Sequence, residues 1–169
     1  MSERILLTGV PGSGKTTLVE RVLDQYAGPA GGFYTQEIRE GGKRNGFEIL
    51  TLEGERGILA HVDIRSQVHV SKYGVDVPTL DHIAVGAIHK TIENGGLLVI
   101  DEIGPMEITS SRFRAALLSA LDSDCNLLAT IVKRSTGFTD QVKSRSDVTI
   151  FEVHPGNRDQ LVGVILGML

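Results

Sequence analysis

The chain contains 169 residues, a length that predicts about one domain, so we expect residues 1–169 to form a single domain. Apolar residues make up 41% and charged residues 22% of the chain, which suffices for a buried core and excludes a disordered protein. The net charge of −4 argues against a surface that binds nucleic acid or an anionic membrane. Because Cys125 has no second cysteine to pair with, and the uncharged run Leu161–Leu169 is too short to span a bilayer, we expect a cytoplasmic protein. The sequence leaves the oligomeric state open, and we favour a monomer.

The first part of the chain predicts a strand, a glycine-rich loop and a helix. Arg4–Thr8 forms a short apolar run, Gly9–Gly14 follows it, and apolar residues then recur at helical spacing. Two β-rich runs, Phe33–Glu40 and Gly46–Leu52, flank a pair of glycines and predict a hairpin. The run Gly57–Val62 is a possible third strand of this inserted region.

Between the inserted region and the next element, we predict a loop over Ser66–Pro78. Apolar residues at spacings of three and four then predict a helix over Leu80–Glu93. The uninterrupted apolar run Leu97–Ile100 predicts a strand covered on both faces. The remaining predicted elements are a helix over Ser111–Leu121, a strand over Leu127–Val132, a short helix over Thr139–Ser144, a strand over Val148–Val153 and a helix over Arg158–Met168. This alternation predicts an α/β sandwich of three layers with a mostly parallel central sheet.

The glycine-rich loop has the pattern of a phosphate-binding loop: Gly, four residues, then Gly-Lys-Ser/Thr. Its glycines allow backbone N–H groups to point at a phosphate, and the following helix adds the unpaired amides of its N-terminus. We expect Lys15 to contact the β- and γ-phosphates, Thr16 to place its hydroxyl on Mg²⁺, and Thr17 to lie near the α-phosphate. The predicted partner is a nucleoside triphosphate with Mg²⁺ as cofactor.

Two adjacent carboxylates follow the predicted buried strand. Asp101 is predicted to hold the magnesium ion with Thr16, since such a carboxylate lies at the carboxyl end of a neighbouring parallel strand. A second carboxylate directly after the first is placed to polarise an attacking water, so Glu102 is the candidate general base. Asp101–Gly104 also fits the Asp-x-x-Gly pattern of switch GTPases, but no Asn-Lys-x-Asp run occurs, which argues against a guanine-specific switch.

The run Asp101-Glu102-Ile103-Gly104-Pro105-Met106-Glu107 resembles a known family, the small P-loop nucleoside-triphosphatases first described from thermophiles and also called cancer-related nucleoside-triphosphatases. Other stretches are similar as well, so the resemblance covers most of the chain. They are Gly9–Thr17, Gly32-Phe33-Tyr34-Thr35 leading to Arg39, Arg44-Asn45-Gly46-Phe47 and Asn157-Arg158-Asp159.

The resemblance implies a P-loop α/β domain that slowly hydrolyses nucleoside 5′-triphosphates, such as ATP, GTP, CTP and UTP, to the diphosphate and phosphate. It also implies Mg²⁺ dependence, broad base tolerance and two nucleotide-binding segments. The residues themselves make Lys15 and Glu102 the candidate catalytic residues. The first segment comprises Gly9, Val10, Pro11, Gly12, Ser13, Gly14, Lys15 and Thr16, with Thr17 beside it. The second comprises Leu97, Leu98, Val99, Ile100, Asp101, Glu102, Ile103 and Gly104.

Three questions stay open at this stage. A further cation is expected to face the transferred phosphoryl group, and the sequence does not choose among four candidates. These are Lys133, Arg134, Arg145 and Arg158, and a solvated surface position is the ordinary alternative for each. A small nucleotide or metabolite kinase is the second candidate function, with its acceptor beneath the inserted β region. A nucleotide-driven switch, whose output is a partner interaction, is the third.

Overall fold

A computed structural model describes residues 1–169, which form nine strands and six α-helices. The strands are β1 Arg4–Thr8, β2 Ala30–Glu40, β3 Lys43–Thr51, β4 Arg56–His61, β5 His69–Val70, β6 Tyr73–Val75, β7 Leu97–Ile103, β8 Asn126–Ile131 and β9 Thr149–Glu152. The helices are α1 Lys15–Gln25, α2 Val77–Leu80, α3 Gly86–Asn94, α4 Ser111–Asp122, α5 Gly137–Lys143 and α6 Arg158–Met168. A π-helical turn at Asp81–Val85 joins α2 to α3, and a 3₁₀ turn at Glu107–Thr109 precedes α4.

All nine strands belong to one sheet, in the order β5-β6-β4-β3-β2-β7-β8-β1-β9. The strands from β2 to β9 in this order pair in parallel, whereas β3, β4, β6 and β5 extend the sheet antiparallel. The predicted α/β class is therefore confirmed. The inserted antiparallel region is larger than predicted, because it ends in the additional hairpin β5-β6.

Two hydrophobic cores lie on opposite faces of the sheet. Alternate residues of β7 enter different cores: Leu98 and Ile100 pack with residues of α3 and α4, whereas Leu97 and Val99 pack with α1 and α6. These four side chains are at most 1% exposed. The uninterrupted apolar run of this strand is explained by burial on both faces, as predicted. None of the helices combines the length and apolar character that crossing a membrane requires.

The loop predicted over Ser66–Pro78 is wrong from His69 onward. This stretch contains the hairpin β5-β6 and the start of α2, where the Asp76 side chain accepts a hydrogen bond of 3.0 Å from the backbone N–H of Thr79. Strands of two and three residues are too short to show a period of two, so the sequence carries no signal for them.

The acidic pair lies inside β7 rather than after it. Asp101 is in register with Tyr34 of β2, and Ile103 pairs with Ile131 of β8, so both neighbours extend the strand past the predicted end at Ile100. Close contact with β2 requires glycine at position 32, because a Cβ there would lie 1.9 Å from the carbonyl oxygen of Val99. The carboxyl end of β7 therefore carries both carboxylates, and the pairing of β7 with β8 shifts register around them, between Ile100 and Ile103.

Candidate active site

The phosphate loop connects β1 to α1 and forms one wall of a cavity of about 480 Å³. Gly14 precedes the helix with φ +97°, a conformation that favours glycine, and a Cβ there would lie 2.6 Å from the side chain of Arg158. No side chain caps the N-terminus of α1 and no acidic residue lies in its first turn. Its unpaired N–H groups and the positive end of its dipole are therefore available to an anion.

Lys15 bends back over this loop. Its Nζ donates hydrogen bonds to the carbonyl oxygens of Gly9 at 2.9 Å and Val10 at 3.3 Å. The ammonium group is thereby held at the loop, in the cavity that Thr16 and Asp101 also line. A positive charge in this place meets the requirement of a phosphoryl group that gains negative charge during transfer.

Asp101 is only 5% exposed and is held from three elements. Its Oδ2 accepts from Thr16 Oγ1 of α1 at 2.8 Å, and its Oδ1 accepts from Thr130 Oγ1 of β8 at 2.6 Å. Thr35 of β2 donates to its backbone carbonyl at 3.3 Å. The structure thus brings the two predicted metal ligands into contact. A threonine hydroxyl beside a carboxylate fits Mg²⁺, which prefers oxygen ligands and takes few from the protein when phosphates supply the others.

Glu102 follows Asp101 through a cis peptide bond and makes no hydrogen bond through its side chain. Burial raises the pKa of its carboxyl group, the charge of Asp101 raises that pKa further, and Lys15 lowers it. Its carboxylate lines the phosphate-loop cavity. A carboxylate without a partner and with a raised pKa is suited to accept a proton.

The predicted segments contribute unequally to the cavity. In the second segment, Asp101 and Glu102 line it, whereas the side chains of Leu97, Leu98, Val99, Ile100 and Ile103 are buried in the two cores. In the first segment, Val10 is 58% exposed, and Ser13 is buried with no partner for its hydroxyl. The apolar residues of β7 therefore hold the acidic pair in position, and direct contact between their side chains and a nucleotide is not supported by this geometry.

Among the four candidate cations, only Arg158 lines the phosphate-loop cavity. Its Nε is buried and has no hydrogen-bond partner. Arg145 is paired with Asp122 and Asp147 at 2.9 and 2.8 Å, and Lys133 is paired with Glu152 at 2.8 Å. Arg134 is exposed and lies outside the cavity.

Sequence reasoning missed Thr130, whose hydroxyl holds Asp101. Thr130 lies on β8, next to β7 in the sheet, so the signal was a polar residue near the end of an otherwise apolar strand. Thr35, Glu37 and Phe47 also line the cavity, although only Thr35 and Phe47 lay in stretches noted for their resemblance. These three residues reach the site because the hairpin β2-β3, which was predicted, pairs with β7, which the sequence does not specify.

Comparison with known proteins agrees with this geometry. A family model described as NTPase matches residues 4–166. Nucleoside-triphosphatase THEP1 of Thermotoga sp. (strain RQ2) is 46% identical over 166 residues, which cover 98% of this chain and 95% of that protein.

Two solved structures are similar over nearly their whole length, each with 32% sequence identity. The crystal structure of THEP1 from the hyperthermophile Aquifex aeolicus has a TM-score of 0.90 and covers 98% of both chains. The solution structure of a human cancer-related nucleoside triphosphatase has a TM-score of 0.83, with 98% of this chain and 96% of that chain covered. The full-length match to the family model and to these relatives establishes that the chain belongs to the NTPase family.

Proposed function

We propose that the chain hydrolyses nucleoside 5′-triphosphates to the diphosphate and phosphate, depends on Mg²⁺ and accepts several bases. The observation that carries the proposal is the convergence of three groups on one cavity: the Lys15 ammonium, the Thr16–Asp101 pair and the unpartnered Glu102 carboxylate. The names of the THEP1 relatives support triphosphate hydrolysis.

In this mechanism the backbone amides of the loop and Lys15 bind the phosphates, and Thr16 and Asp101 hold Mg²⁺. When bound, the ion supplies positive charge to the phosphate oxygens. Thr130 keeps the Asp101 carboxylate in place through its 2.6 Å hydrogen bond. Asp101 therefore serves as a fixed anion, and Glu102 is the residue that accepts the proton.

Glu102 accepts the proton of the attacking water. The water oxygen forms a bond to the γ-phosphorus, the bond from that phosphorus to the β,γ-bridging oxygen breaks, and the diphosphate leaves. The raised pKa of Glu102 makes its carboxylate a better proton acceptor than an exposed one.

We expect the loop between β9 and α6 to lie beside the base, because it leads directly to Arg158 of the phosphate-loop cavity. Both ends of the Asn157 side chain are used within that loop: Nδ2 donates to Glu152 O at 2.8 Å, and Oδ1 accepts from His154 N at 2.9 Å. The Nδ1 atom of His154 accepts from Gly156 N at 3.2 Å. These bonds hold the loop in one shape, and backbone contacts or a stacking arginine of this loop would accept different bases.

Phosphate release from ATP, GTP, CTP and UTP, measured with Mg²⁺ and with excess EDTA, tests the proposal. We expect release from all four with Mg²⁺ and loss of release with EDTA. Release from a single triphosphate would reject base tolerance, and unchanged release in EDTA would reject the dependence on Mg²⁺.

As parts of the same proposal, residues 1–169 act as one domain, in the cytoplasm and as a monomer. Light scattering with and without a non-hydrolysable triphosphate analogue tests whether the chain is a monomer.

A further inference from the structure

A second cavity, of about 240 Å³, lies between the inserted strands and the turn that follows β7. Triphosphate hydrolysis assigns no role to Arg44 or to Pro105-Met106-Glu107, yet these stretches meet at this cavity. Its apolar walls come from both sides: Phe47, Leu59, Val70 and Tyr73 from the inserted strands, and Pro105 and Met106 from the turn.

The second cavity adjoins the phosphate-loop cavity. Thr35, Phe47 and Glu102 line both. Glu102 therefore stands between the place where the triphosphate is proposed to bind and an apolar space on its other side. A further cavity, of about 420 Å³ near Pro29–Gly32 and Lys90, shares no residue with the phosphate-loop cavity.

The charges around the second cavity favour a neutral ligand. Arg44 is the only cation that lines it, and its guanidinium already donates to Glu37 at 3.2 Å and to the Tyr73 hydroxyl at 3.0 Å. An anionic ligand would meet no unpaired cation there and would lie beside the Glu102 carboxylate. Burial raises the pKa of Glu107 to about 8, so this carboxyl group is neutral at neutral pH and able to donate a hydrogen bond.

The walls of the second cavity suit a ligand that contains a ring. The Phe47 and Tyr73 rings lie edge to face with centroids 5.3 Å apart, and the Arg44 guanidinium lies 5.4 Å from the Phe47 centroid. Aromatic and apolar walls with a few convergent polar groups are typical of sites for small organic ligands. The volume is below the roughly 300–1,000 Å³ of drug-sized pockets, which limits the ligand to a small molecule.

We propose that this cavity binds a small, neutral ring compound that carries a hydroxyl group, and that the chain transfers the γ-phosphoryl group to that hydroxyl. The proposal rests on the triphosphate site proposed above. The hydroxyl oxygen forms a bond to the γ-phosphorus, the bond from that phosphorus to the β,γ-bridging oxygen breaks, the nucleoside diphosphate leaves, and the hydroxyl proton passes to Glu102. Water takes the place of the hydroxyl when the cavity holds no acceptor.

Ribonucleosides are suitable probes, because they are neutral rings that carry hydroxyl groups. The intact chain is incubated with Mg²⁺ and ATP labelled at the γ-phosphate, together with uridine, cytidine, adenosine or guanosine at millimolar concentration. We expect labelled nucleoside monophosphate from at least one of the four. Label found only in inorganic phosphate, with all four nucleosides, would overturn the acceptor site and leave hydrolysis intact. Absence of phosphate release without nucleoside would instead reject the proposed function.

A matched pair of variants on β5 locates the acceptor. Val70 lines the second cavity, whereas its exposed neighbour His69 does not. We expect Val70→Trp to fill the cavity and lower label transfer at least tenfold, with phosphate release from ATP alone within twofold of the unaltered chain. His69→Trp is expected to retain both activities. Undiminished label transfer by Val70→Trp would show that the acceptor does not bind in the second cavity and would overturn the proposal. If this variant does not fold, the assay of the unaltered chain with the four ribonucleosides still tests the proposal.

Discussion

The two cavities that meet at Glu102 are built in different ways. The phosphate-loop cavity is polar, and its central groups come from one continuous loop and one strand end. The second cavity is largely apolar, and its walls come from the inserted strands and from the turn after β7, which are distant in the chain. Loop amides and charges bind phosphate whatever it is attached to, whereas shape and apolar contact select one molecule. Changes in the first cavity should therefore alter phosphate chemistry, and changes in the second should alter which molecule receives the phosphoryl group.

The largest expected effect is the loss of Lys15. Lys15→Ala removes the ammonium group that faces the phosphates, so we expect kcat/KM for ATP to fall by about 10²–10³-fold. Lys133→Ala is the matched control, because Lys133 is exposed and paired with Glu152 at 2.8 Å. Unchanged turnover of Lys15→Ala in a phosphate-release assay would remove the lysine from the mechanism.

The buried Glu107 is expected to make stability depend on pH. The pKa of Glu107 is raised from 4.5 to about 8, so the unfolded chain releases this proton at lower pH than the folded chain. The contribution of Glu107 is therefore complete below pH 4.5 and is lost as the pH rises to about 8, by roughly 3–5 kcal/mol. In urea titrations between pH 4.5 and 8, Glu107→Gln should lack this decline.

Substitution of the exposed Glu93 by Gln provides the control for the pH series. A difference in unfolding free energy between the unaltered chain and Glu107→Gln that stays constant with pH would show that Glu107 does not titrate in this range.

Arg158 is expected to contribute to nucleotide affinity. Its Nε is buried without a partner beside Gly14, so a bound phosphate is the natural acceptor. We expect Arg158→Ala to raise KM for ATP about tenfold, the range of one charge-assisted hydrogen bond, with little change in kcat. Arg134→Ala, at an exposed position outside the cavity, should behave as the unaltered chain. Equal KM values for ATP in Arg158→Ala and Arg134→Ala would contradict a contribution of Arg158 to nucleotide affinity.

The smallest effect is expected for Thr130, which positions Asp101. Thr130→Val keeps the shape of the side chain and removes the 2.6 Å hydrogen bond to the carboxylate. We expect the Mg²⁺ concentration for half-maximal activity to rise about fivefold, equivalent to about 1 kcal/mol. Thr91→Val removes a comparable hydrogen bond, to Ala87 O at 2.8 Å, on α3 outside the phosphate-loop cavity. A similar rise of this Mg²⁺ concentration in Thr91→Val would show that the effect of Thr130→Val does not come from the hydrogen bond to Asp101.

The phosphate loop and the acidic pair were predictable because each is local: one is a run of eight residues, and the other directly follows the apolar run Leu97–Ile100. Helix α6 likewise matches its predicted bounds, Arg158–Met168. The contact between Thr130 and Asp101 was not predictable, since it depends on β8 lying beside β7 in the sheet. The second cavity could not be predicted from the sequence either, because part of its wall is the hairpin β5-β6, whose strands are too short to show periodicity.

In the proposed mechanism Glu102 activates the attacking water, the loop and Lys15 bind the triphosphate, and Thr16 and Asp101 hold Mg²⁺. The most direct test is single-turnover phosphate release by Glu102→Gln, measured beside the affinity for a fluorescent ATP analogue. We expect Glu102→Gln to release phosphate at least about 100-fold more slowly than the unaltered chain, with affinity for the analogue within about twofold. A rate within a few-fold of the unaltered chain would contradict this mechanism.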